Sequence, residues 1–463
     1  MLRASASIER AGYPTVSIVS TGFLKQAEVV ARGLGMPDLP VAHYAGVPMT
    51  DSSAELRRKV EHELVPQIIA GISRAESAKA KSVEREPGPR EIVFRGDLDA
   101  VQEHFYRNHW SDGLPFIPPT VDRVERFLRY TDRAPDEIVG VLAPDNREAT
   151  VWNIALTGVM AGCRPEYMPL LLAVVEAVAD PVFRVQDAGS TPGWEPLIVV
   201  NGPIVKELEF NAVGAVMRVG RQANTSLGRF LRLILRNLAG FRIPPAAGDK
   251  ASIAQSFLVA LPENEDAVAE VGWQPYSVDR GFRAGDNVVT LQSVVSISPP
   301  TYTGSERAEE HARIYAEVLG GSVRYWSSVG FAYEMWHPLI LMGPSIAKVF
   351  ADCGWSKADV RQYLCDHVTI KAADAERYAY HVGLTGFSFK GQVEKGFLSK
   401  RYLESEDPER QVPVFPNPDW IGIVVAGDPG RNQSKMYCSN HIQGPPVSKA
   451  VQLPKAWKAL PKG

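Results

Sequence analysis

The chain has 463 residues, of which 45% are hydrophobic and 22% charged, values close to those of ordinary globular domains. Its net charge of -3, from 50 basic and 53 acidic residues, argues against nucleic-acid binding and favours a small-molecule substrate. The longest apolar stretch, at 168–179, is shorter than a membrane-spanning helix of roughly 20 residues, and the start of the chain lacks the apolar core of a secretory signal. These features predict a cytoplasmic protein without membrane contact, in which four scattered cysteines stay free thiols.

The first seventy residues alternate between helix and strand patterns. Strands are predicted at 14–20 and 40–48, and helices at 22–35 and 50–72. This alternation predicts a parallel sheet covered by helices. The chain nevertheless opens on a helix that ends at Gly12, where a doubly wound domain would open on a strand.

A charged segment punctuated by proline and glycine, residues 75–93, is predicted to be a linker. It would separate a small α/β domain at 1–74 from a large domain at 94–463. Helix patterns and β-rich runs mix throughout the large domain, which predicts an α/β or α+β fold. The predicted strands include EPLIVVNGPI, ASIAQSFLVAL, NVVTLQSVVSIS and WIGIVVAG.

The segment MAGCRPEYMP, residues 160–169, places Cys163 where two predicted helices meet. Pro165 cannot lie inside a helix but suits the first turn of the next one. Cys163 would then lie at a helix N-terminus, where the helix dipole and Arg164 favour the thiolate. The alternative is a buried cysteine packed in a tight turn.

The segment NHWSDGLPFIPPT, residues 108–120, combines prolines with large apolar residues. The prolines keep it extended, and Thr120 is predicted to cap the next helix. A rigid loop of this kind would bring His109 and Asp112 to the wall of a pocket. It is equally consistent with a strap that packs on the core.

Five arginines occur between 218 and 236, three of them on one face of a helix predicted to be capped near Thr225. The unpaired backbone N–H groups at the start of such a helix favour an anionic substrate group. Arg221 or Arg229 would then bind a carboxylate. The same row of arginines also suits a solvated helix face.

Two further patterns concern cofactors and metals. The strand WIGIVVAG runs into a glycine turn at 427–432 that suits phosphate or carboxylate, but its spacing matches no nucleotide-binding fingerprint. Cys365 with His367, and Cys438 with His441, have zinc-ligand chemistry but lack a second pair at recognisable spacing, so no metal is assigned. The cofactor is left unknown.

Several long segments of the chain share their pattern with one family of proteins. These segments are SDGLPFIPPTVDRVERFL, MAGCRPEYMPLLLAVVEAV, PLIVVNGPIVKEL, ANTSLGRFLRLILRN, and PENE followed by DRGF. They resemble the second domain of the UGSC-type selenoprotein family, bacterial proteins named for selenocysteine or cysteine followed by Gly-Ser-Cys. Residues 8–48 resemble the small N-terminal domain of that family, and are also distantly similar to the glycine reductase B subunit.

This resemblance implies thiol or selenol chemistry. It makes Cys163 a candidate catalytic residue, with Glu166 one helical turn away as a proton carrier and with Asp112 and His109 in the same pocket. The chain departs from the family pattern at 253–254, where Ile-Ala replaces an expected glycine and histidine. The candidate substrate-binding residues are Glu148, Arg164, Asn201, Arg221, Asn224 and Arg229.

The leading hypothesis is an enzyme of the oxidoreductase or lyase class that uses a thiol or selenol for redox or nucleophilic chemistry. Its substrate would be a small organic carboxylate, and the protein would form a homo-oligomer. One alternative is a non-catalytic subunit to which a small partner adds the missing strand and motif. Another is a cofactor-free lyase or hydrolase that uses Glu166 and Asp112.

The family motif should follow a first strand and precede the first helix, and would therefore lie immediately before Met1. Selenocysteine is encoded by UGA, which gene-finding reads as a stop. We therefore expect the upstream DNA to encode a strand of about five apolar residues, then UGA or a cysteine codon, then Gly-Ser-Cys.

Overall fold

The computed structural model describes residues 2–46, 48, 51–74, 88, 90–188, 193–243, 256–384, 386–439 and 443–462. Backbone contacts divide the chain into two compact units. The first unit contains the described residues up to Val93 and the short described stretches at 242–243 and 383–384, and the second unit contains the others. Most of the predicted linker at 75–93 lies outside the described residues, so the domain limits at 74 and 94 stay a prediction.

The first unit is built on a parallel pair of strands. Its elements are α1 (Leu2–Arg10), β1 (Ser17–Ser20), α2 (Leu24–Gly33), β2 (Val41–Tyr44), α3 (Ser53–Lys59), a π-helical turn (Val60–Leu64) and α4 (Val65–Ile72). Strands β1 and β2 pair in parallel, as the alternating pattern predicts. Gly12 closes α1 with a φ of 87°, and the Ser52 hydroxyl caps α3 by accepting from the amide of Glu55.

Two larger sheets form the centre of the second unit. In the first sheet the strands β5 (Glu195–Asn201), β6 (Leu261–Pro262), β7 (Val288–Val294) and β15 (Val447–Ala450) lie in the order β15-β7-β5-β6. The strands of the second sheet are β8 (Ser296–Ile297), β9 (Thr301–Tyr302), β10 (Leu339–Met342), β13 (Gly422–Val425) and β14 (Gln433–Cys438). In this sheet β10 is parallel to β13 and antiparallel to β14.

Two hairpins and a set of helices surround these sheets. The hairpins pair β3 (Ile138–Leu142) with β4 (Arg147–Thr150), and β11 (Thr369–Lys371) with β12 (Gln411–Pro413). The helices are α5 (Leu98–Arg107), α6 (Val121–Leu128), α7 (Val151–Ala161), α8 (Met168–Ala179), α9 (Ile204–Glu207), α10 (Gln222–Ile234), α11 (Glu265–Glu270), α12 (Tyr276–Asp279), α13 (Ala308–Val323), α14 (Ser327–Tyr333), α15 (Pro344–Asp352), α16 (Lys357–His367), α17 (Ala372–His381) and α18 (Phe389–Glu394).

Strand β5 shows why the unit is layered in this way. Successive side chains of a strand point to opposite faces. Ile198 and Val200 belong to the core formed with α7, α8 and α10, whereas Leu197 and Val199 pack with residues of the second sheet. Because both faces are covered, every residue of β5 is buried, which explains its continuous apolar run.

The structure confirms the predicted α/β class, and it differs from the sequence analysis at two local points. The strand predicted at 251–261 is reduced to Leu261–Pro262, with 251–255 outside the described residues. Helix α10 begins at Gln222, and Thr225 does not cap it, because its hydroxyl accepts from the amide of Gly220 at 3.3 Å. Over the described parts of the chain, no helix is both long and apolar enough to cross a membrane.

Candidate functional site

The junction between α7 and α8 is made by local backbone geometry. Gly162 ends α7 in the left-handed conformation, with a φ of 80°, which glycine adopts without strain. Pro165 then opens a short 3-10 turn, residues 165–167, that leads into α8. The amide of Cys163 donates to the carbonyl of Gly158 at 3.0 Å. The proline therefore separates two helices as predicted, and Cys163 lies between them.

Cys163 is buried, and its sulfur donates a hydrogen bond to the backbone carbonyl of Ser226 at 3.4 Å. Burial raises the pKa of this thiol to about 12, and neither the hydrogen bond nor the charge of Arg229 offsets the loss of hydration. The predicted lowering of the pKa by the helix dipole and Arg164 is therefore wrong. At neutral pH Cys163 carries its proton.

Helix α10 starts beside this junction with an open first turn. Arg221 occupies the position before the helix in an extended conformation, and no side chain caps the helix within the described residues. Asn224, in this first turn, is buried. Its side chain accepts a hydrogen bond from the amide of Asn211 at 2.9 Å and donates to the carbonyls of Asn211 and Ala260. The first-turn amides are left to solvent or to a ligand.

A shallow cavity of about 300 Å³ lies at this open turn. Ser226 belongs to its wall and is only 5% exposed, and its buried hydroxyl has no hydrogen-bond partner among the described residues. An unsatisfied buried hydroxyl is uncommon in folded proteins and calls for a partner. The residues that line the cavity are Ala161, Gly162, Gly220, Arg221, Gln222, Thr225 and Ser226.

Arg221 belongs to the cavity wall, and Arg164 is joined to the wall residue Gln222. The Nε of Arg164 donates to the side chain of Gln222 at 3.0 Å, and its Nη1 lies 3.9 Å from carboxylate oxygens of both Glu166 and Glu209. Arg221 donates from Nε to the backbone carbonyl of Glu209 at 3.0 Å. Gln222 in turn donates to the carbonyl of Gly162 at 3.1 Å, which links α10 to the end of α7.

The strap at 108–120 packs along α10 and contributes no residue to the cavity wall. Asp112 forms an ion pair with Arg229, and the guanidinium also donates to the carbonyls of Leu114 and Pro115. The backbone carbonyl of His109 accepts from Arg236 at 3.0 Å. The packed strap and the engaged Arg229 differ from the interpretation of these residues as pocket wall and carboxylate ligand.

Two other candidate residues lie elsewhere in the unit. Glu148 is exposed on β4, which precedes α7, whereas the cavity lies at the other end of that helix, roughly 16 Å away for its 11 residues. Asn201 is buried at the end of β5, where its amide donates to Glu263 at 2.7 Å and to Glu265 at 3.0 Å. The structure thus brings Cys163, Arg164, Glu166, Arg221 and Asn224 together, whereas neither Glu148 nor Asn201 belongs to the cavity wall.

Asn201 belongs to a buried polar cluster around Glu263 that joins the two sheets. The carboxylate of Glu263 accepts from the backbone amides of Tyr276 at 2.6 Å and Val425 at 3.1 Å, and Lys357 lies 3.8 Å away. Burial raises the pKa of Glu263 despite these partners. Each carboxylate oxygen of Glu263 accepts from a backbone amide, so its main hydrogen bonds are made within the fold.

A second cavity, of about 450 Å³, lies at the glycine turn after β13 and includes Gly430 and Arg431 in its wall. Two amides of this turn are engaged: Gly430 donates to the side chain of Asp428 at 2.8 Å, and Arg431 to its carbonyl at 3.1 Å. These amides therefore do not face a phosphate or a carboxylate.

The described residues contain no group of three or more potential metal ligands. His367 bonds through Nδ1 to the carbonyl of Tyr363 at 2.8 Å, and Cys365 is buried. His441, the predicted partner of Cys438, and the departure at 253–254 lie outside the described residues.

Sequence reasoning missed Gln222, Ser226 and Glu209. Gln222 and Ser226 occur in the polar run RQANTS directly before an apolar helix pattern, a signal for an exposed helix start. Glu209 has no such signal, because only the fold brings its carbonyl to Arg221 and its carboxylate near Arg164.

The model of the UGSC family matches residues 1–74, which confirms the resemblance for the N-terminal part of the chain. No curated protein and no solved structure matches the chain. The matched residues end before the unit that contains the cavity, and the likeness of that unit to the second domain of the family stays a prediction.

Proposed function

We propose that the larger unit is the substrate-binding part of an enzyme that acts on a small organic anion. The acidic group of this substrate binds at the first turn of α10, in the cavity beside Gly162 and Arg221. The observation that carries the proposal is the buried, unpartnered hydroxyl of Ser226 in the wall of a cavity at an uncapped helix start.

An acidic group at this place gains three kinds of interaction. The backbone amides of the first turn donate to it, and the helix dipole contributes about half a positive charge. Arg221, held at the rim by its bond to the carbonyl of Glu209, adds a full charge. Ser226 adds a hydroxyl that has no hydrogen-bond partner among the described residues.

Calorimetric titration of the full chain with a panel of small organic acids and phosphate esters tests the proposal. At least one anion is expected to bind saturably, and Arg221→Gln should weaken it by about tenfold or more, the loss of one charged hydrogen bond. The matched control is Arg313→Gln, which removes a charge from the exposed face of α13. Absence of saturable binding, or equal weakening by the two variants, would contradict the proposal.

Thiol-dependent chemistry at Cys163 is a second candidate function. Its support is position: the sulfur donates to the backbone carbonyl of Ser226, and Ser226 belongs to the cavity wall. A thiol with a pKa of about 12 needs a base to become a nucleophile, and Glu166 is the nearest carboxylate in sequence. If Cys163 reacts with substrate, Cys163→Ser should abolish turnover while leaving anion binding unchanged.

The non-catalytic alternative concerns the first unit. Strand β1 has a neighbour on one side, β2, within the described residues, and Ile18 is 40% exposed. A partner strand, or a second copy of the chain in a homo-oligomer, would cover such an edge. Size-exclusion chromatography with light scattering tests this alternative, which a strictly monomeric chain would contradict.

A further inference from the structure

We propose that Thr303 and His311 form a nucleophile and its base, and that this pair hydrolyses small esters at the second cavity, beside the glycine turn after β13. The pair does not belong to the anion site, because the walls of the two cavities have no residue in common. The contacts of His311 and the residues of the cavity wall support this assignment.

Thr303 follows β9 directly and belongs both to the cavity wall and to a contact with a buried imidazole. Its amide donates to the carbonyl of Asn432 at 3.3 Å, which joins the segment after β9 to the turn after β13. Asn432 belongs to the same wall. His311, on α13, is completely buried, whereas Thr303 is 8% exposed. The pair therefore connects the cavity wall with the interior of the unit.

The contacts of His311 determine which ring nitrogen acts as the base. Its Nε2 lies 2.9 Å from the backbone carbonyl of Ser305, and its Nδ1 lies 2.6 Å from Oγ1 of Thr303. A carbonyl oxygen only accepts, so Nε2 carries a proton and donates it. In the neutral imidazole the other nitrogen then accepts, and the hydroxyl of Thr303 donates to Nδ1. Hydrolytic enzymes use the same arrangement, in which a base accepts the proton of the nucleophile and a third group orients the base.

Gly304, the residue after Thr303, supplies a donor for the oxyanion that forms on the substrate. It belongs to the cavity wall, and its amide donates no hydrogen bond to any described residue. A Cβ at this position would meet no atom within 4 Å, so a substrate has room to approach the backbone. The amide of the residue after the nucleophile has this role in other hydrolases, where it stabilises the negative charge of the tetrahedral intermediate.

The reaction that this arrangement supports is ester hydrolysis in two acyl transfers. Oγ1 of Thr303 attacks the acyl carbon while its proton passes to Nδ1 of His311. The C–O bond of the ester then breaks, and the alcohol leaves with the proton from Nδ1. Water attacks the acyl-threonine and gives a proton to Nδ1, and the carboxylic acid is released as that proton returns to Oγ1. Water is the co-reactant, and the cavity of about 450 Å³ has a volume typical of sites for small molecules.

Release of p-nitrophenol from p-nitrophenyl acetate and butyrate by the full chain tests the proposal. Thr303→Val removes the hydroxyl and keeps the shape of the side chain, and it should lower kcat/KM by about 100-fold or more. Thr303→Ser retains a hydroxyl and should keep the activity within about tenfold. The matched control is Thr301→Val, because Thr301 is a buried residue of β9 outside the cavity wall and its loss should leave the rate unchanged.

Peptide mass spectrometry after an acid quench locates the covalent intermediate, and the acyl group is expected on residue 303 of the wild type and of Thr303→Ser. The proposal is overturned if the wild type hydrolyses the esters no faster than Thr303→Val, or if Thr301→Val loses as much activity as Thr303→Val. An acyl group on another residue also overturns it. A folded His311→Gln protein should be as slow as Thr303→Val, since a nucleophile and its base act as a unit, and one that keeps the wild-type rate would remove His311 as the base.

Discussion

The carboxylate of Asp112 accepts two hydrogen bonds from the guanidinium of Arg229, one from Nε and one from Nη2, each 2.8 Å long. The two residues are 117 positions apart in the sequence. The bidentate pair fastens the proline-rich strap to α10 just beyond the cavity. Because both side chains are largely buried, it is stronger than an ordinary surface ion pair.

Asp112→Asn should therefore lower the free energy of unfolding by about 1.5–3 kcal/mol, the range for hydrogen bonds to charged groups. Chemical denaturation measures the change. The matched control is Glu103→Gln, since Glu103 pairs with Arg107 on an exposed helix face and should contribute less than about 0.5 kcal/mol. Equal losses in the two variants would show that the strap is not held by this pair.

The burial of Cys163 predicts its reactivity. With a pKa of about 12, its thiol stays protonated up to pH 9, and iodoacetamide should not modify it in the folded protein. Cys353 is exposed and serves as the internal control that reacts under the same conditions. Peptide mass spectrometry reads both sites. Modification of Cys163 in the folded chain at a rate near that of Cys353 would restore it as an accessible nucleophile.

His337 gives the fold a pH dependence in the acidic range. Burial, together with the charge of Arg280, lowers the pKa of His337 to about 4. The unfolded chain therefore takes up this proton first as the pH falls below the ordinary histidine value of about 6.5. The free energy of unfolding should decrease between pH 6.5 and 4, by up to about 1.4 kcal/mol per pH unit from this group.

The variant His337→Phe should lack that part of the pH dependence, whatever its effect on overall stability. His381→Gln, at the exposed end of α17, is the control and should keep the wild-type slope. Urea denaturation at half-unit steps of pH measures both slopes. A wild-type slope in His337→Phe would assign the effect to another group.

Short sequence patterns predicted the features of the fold that neighbouring residues determine, such as helix breaks and strands. Pro165 and Gly162 marked the break between α7 and α8, and the β-rich run at 195–204 indicated the strand β5. The cavity wall is formed by two separate segments, 161–162 and 220–226, and no spacing rule joins them. The prediction of a lowered pKa for Cys163 was wrong for the same reason. The effect of a helix dipole can be predicted from neighbouring residues, but burial depends on the packing of the whole core.

Gly202 lies between β5 and α9, and the loop at 286–287 passes close to its backbone. Its φ of 97° is unfavourable for other residues, and a Cβ there would lie 2.5 Å from the carbonyl of Asp286. Gly202→Ala should destabilise the protein by about 2–4 kcal/mol, the sum of backbone strain and overpacking. Gly285→Ala shares the strain, with a φ of 87°, but its Cβ meets no atom within 4 Å, so it should cost only about 1–2 kcal/mol. If the two variants lost the same free energy of unfolding, the close approach of the loop to Gly202 would not contribute to the loss.

Ser226→Ala separates a binding role from a structural one. Because the Ser226 hydroxyl is buried without a partner among the described residues, its removal should leave the free energy of unfolding unchanged or raise it slightly. The affinity for the organic anion should nevertheless fall, by about three- to tenfold, since one neutral hydrogen bond is lost. Thr225→Val is the contrasting variant: the Thr225 hydroxyl accepts from the amide of Gly220, so its loss should lower stability as well as loosen the cavity rim.

Calorimetric titration and denaturation of the same samples measure the affinity and the free energy of unfolding. A Ser226→Ala protein that is destabilised by more than about 1 kcal/mol, yet binds the anion as tightly as the wild type, would show that the hydroxyl has a partner within the protein and faces no ligand.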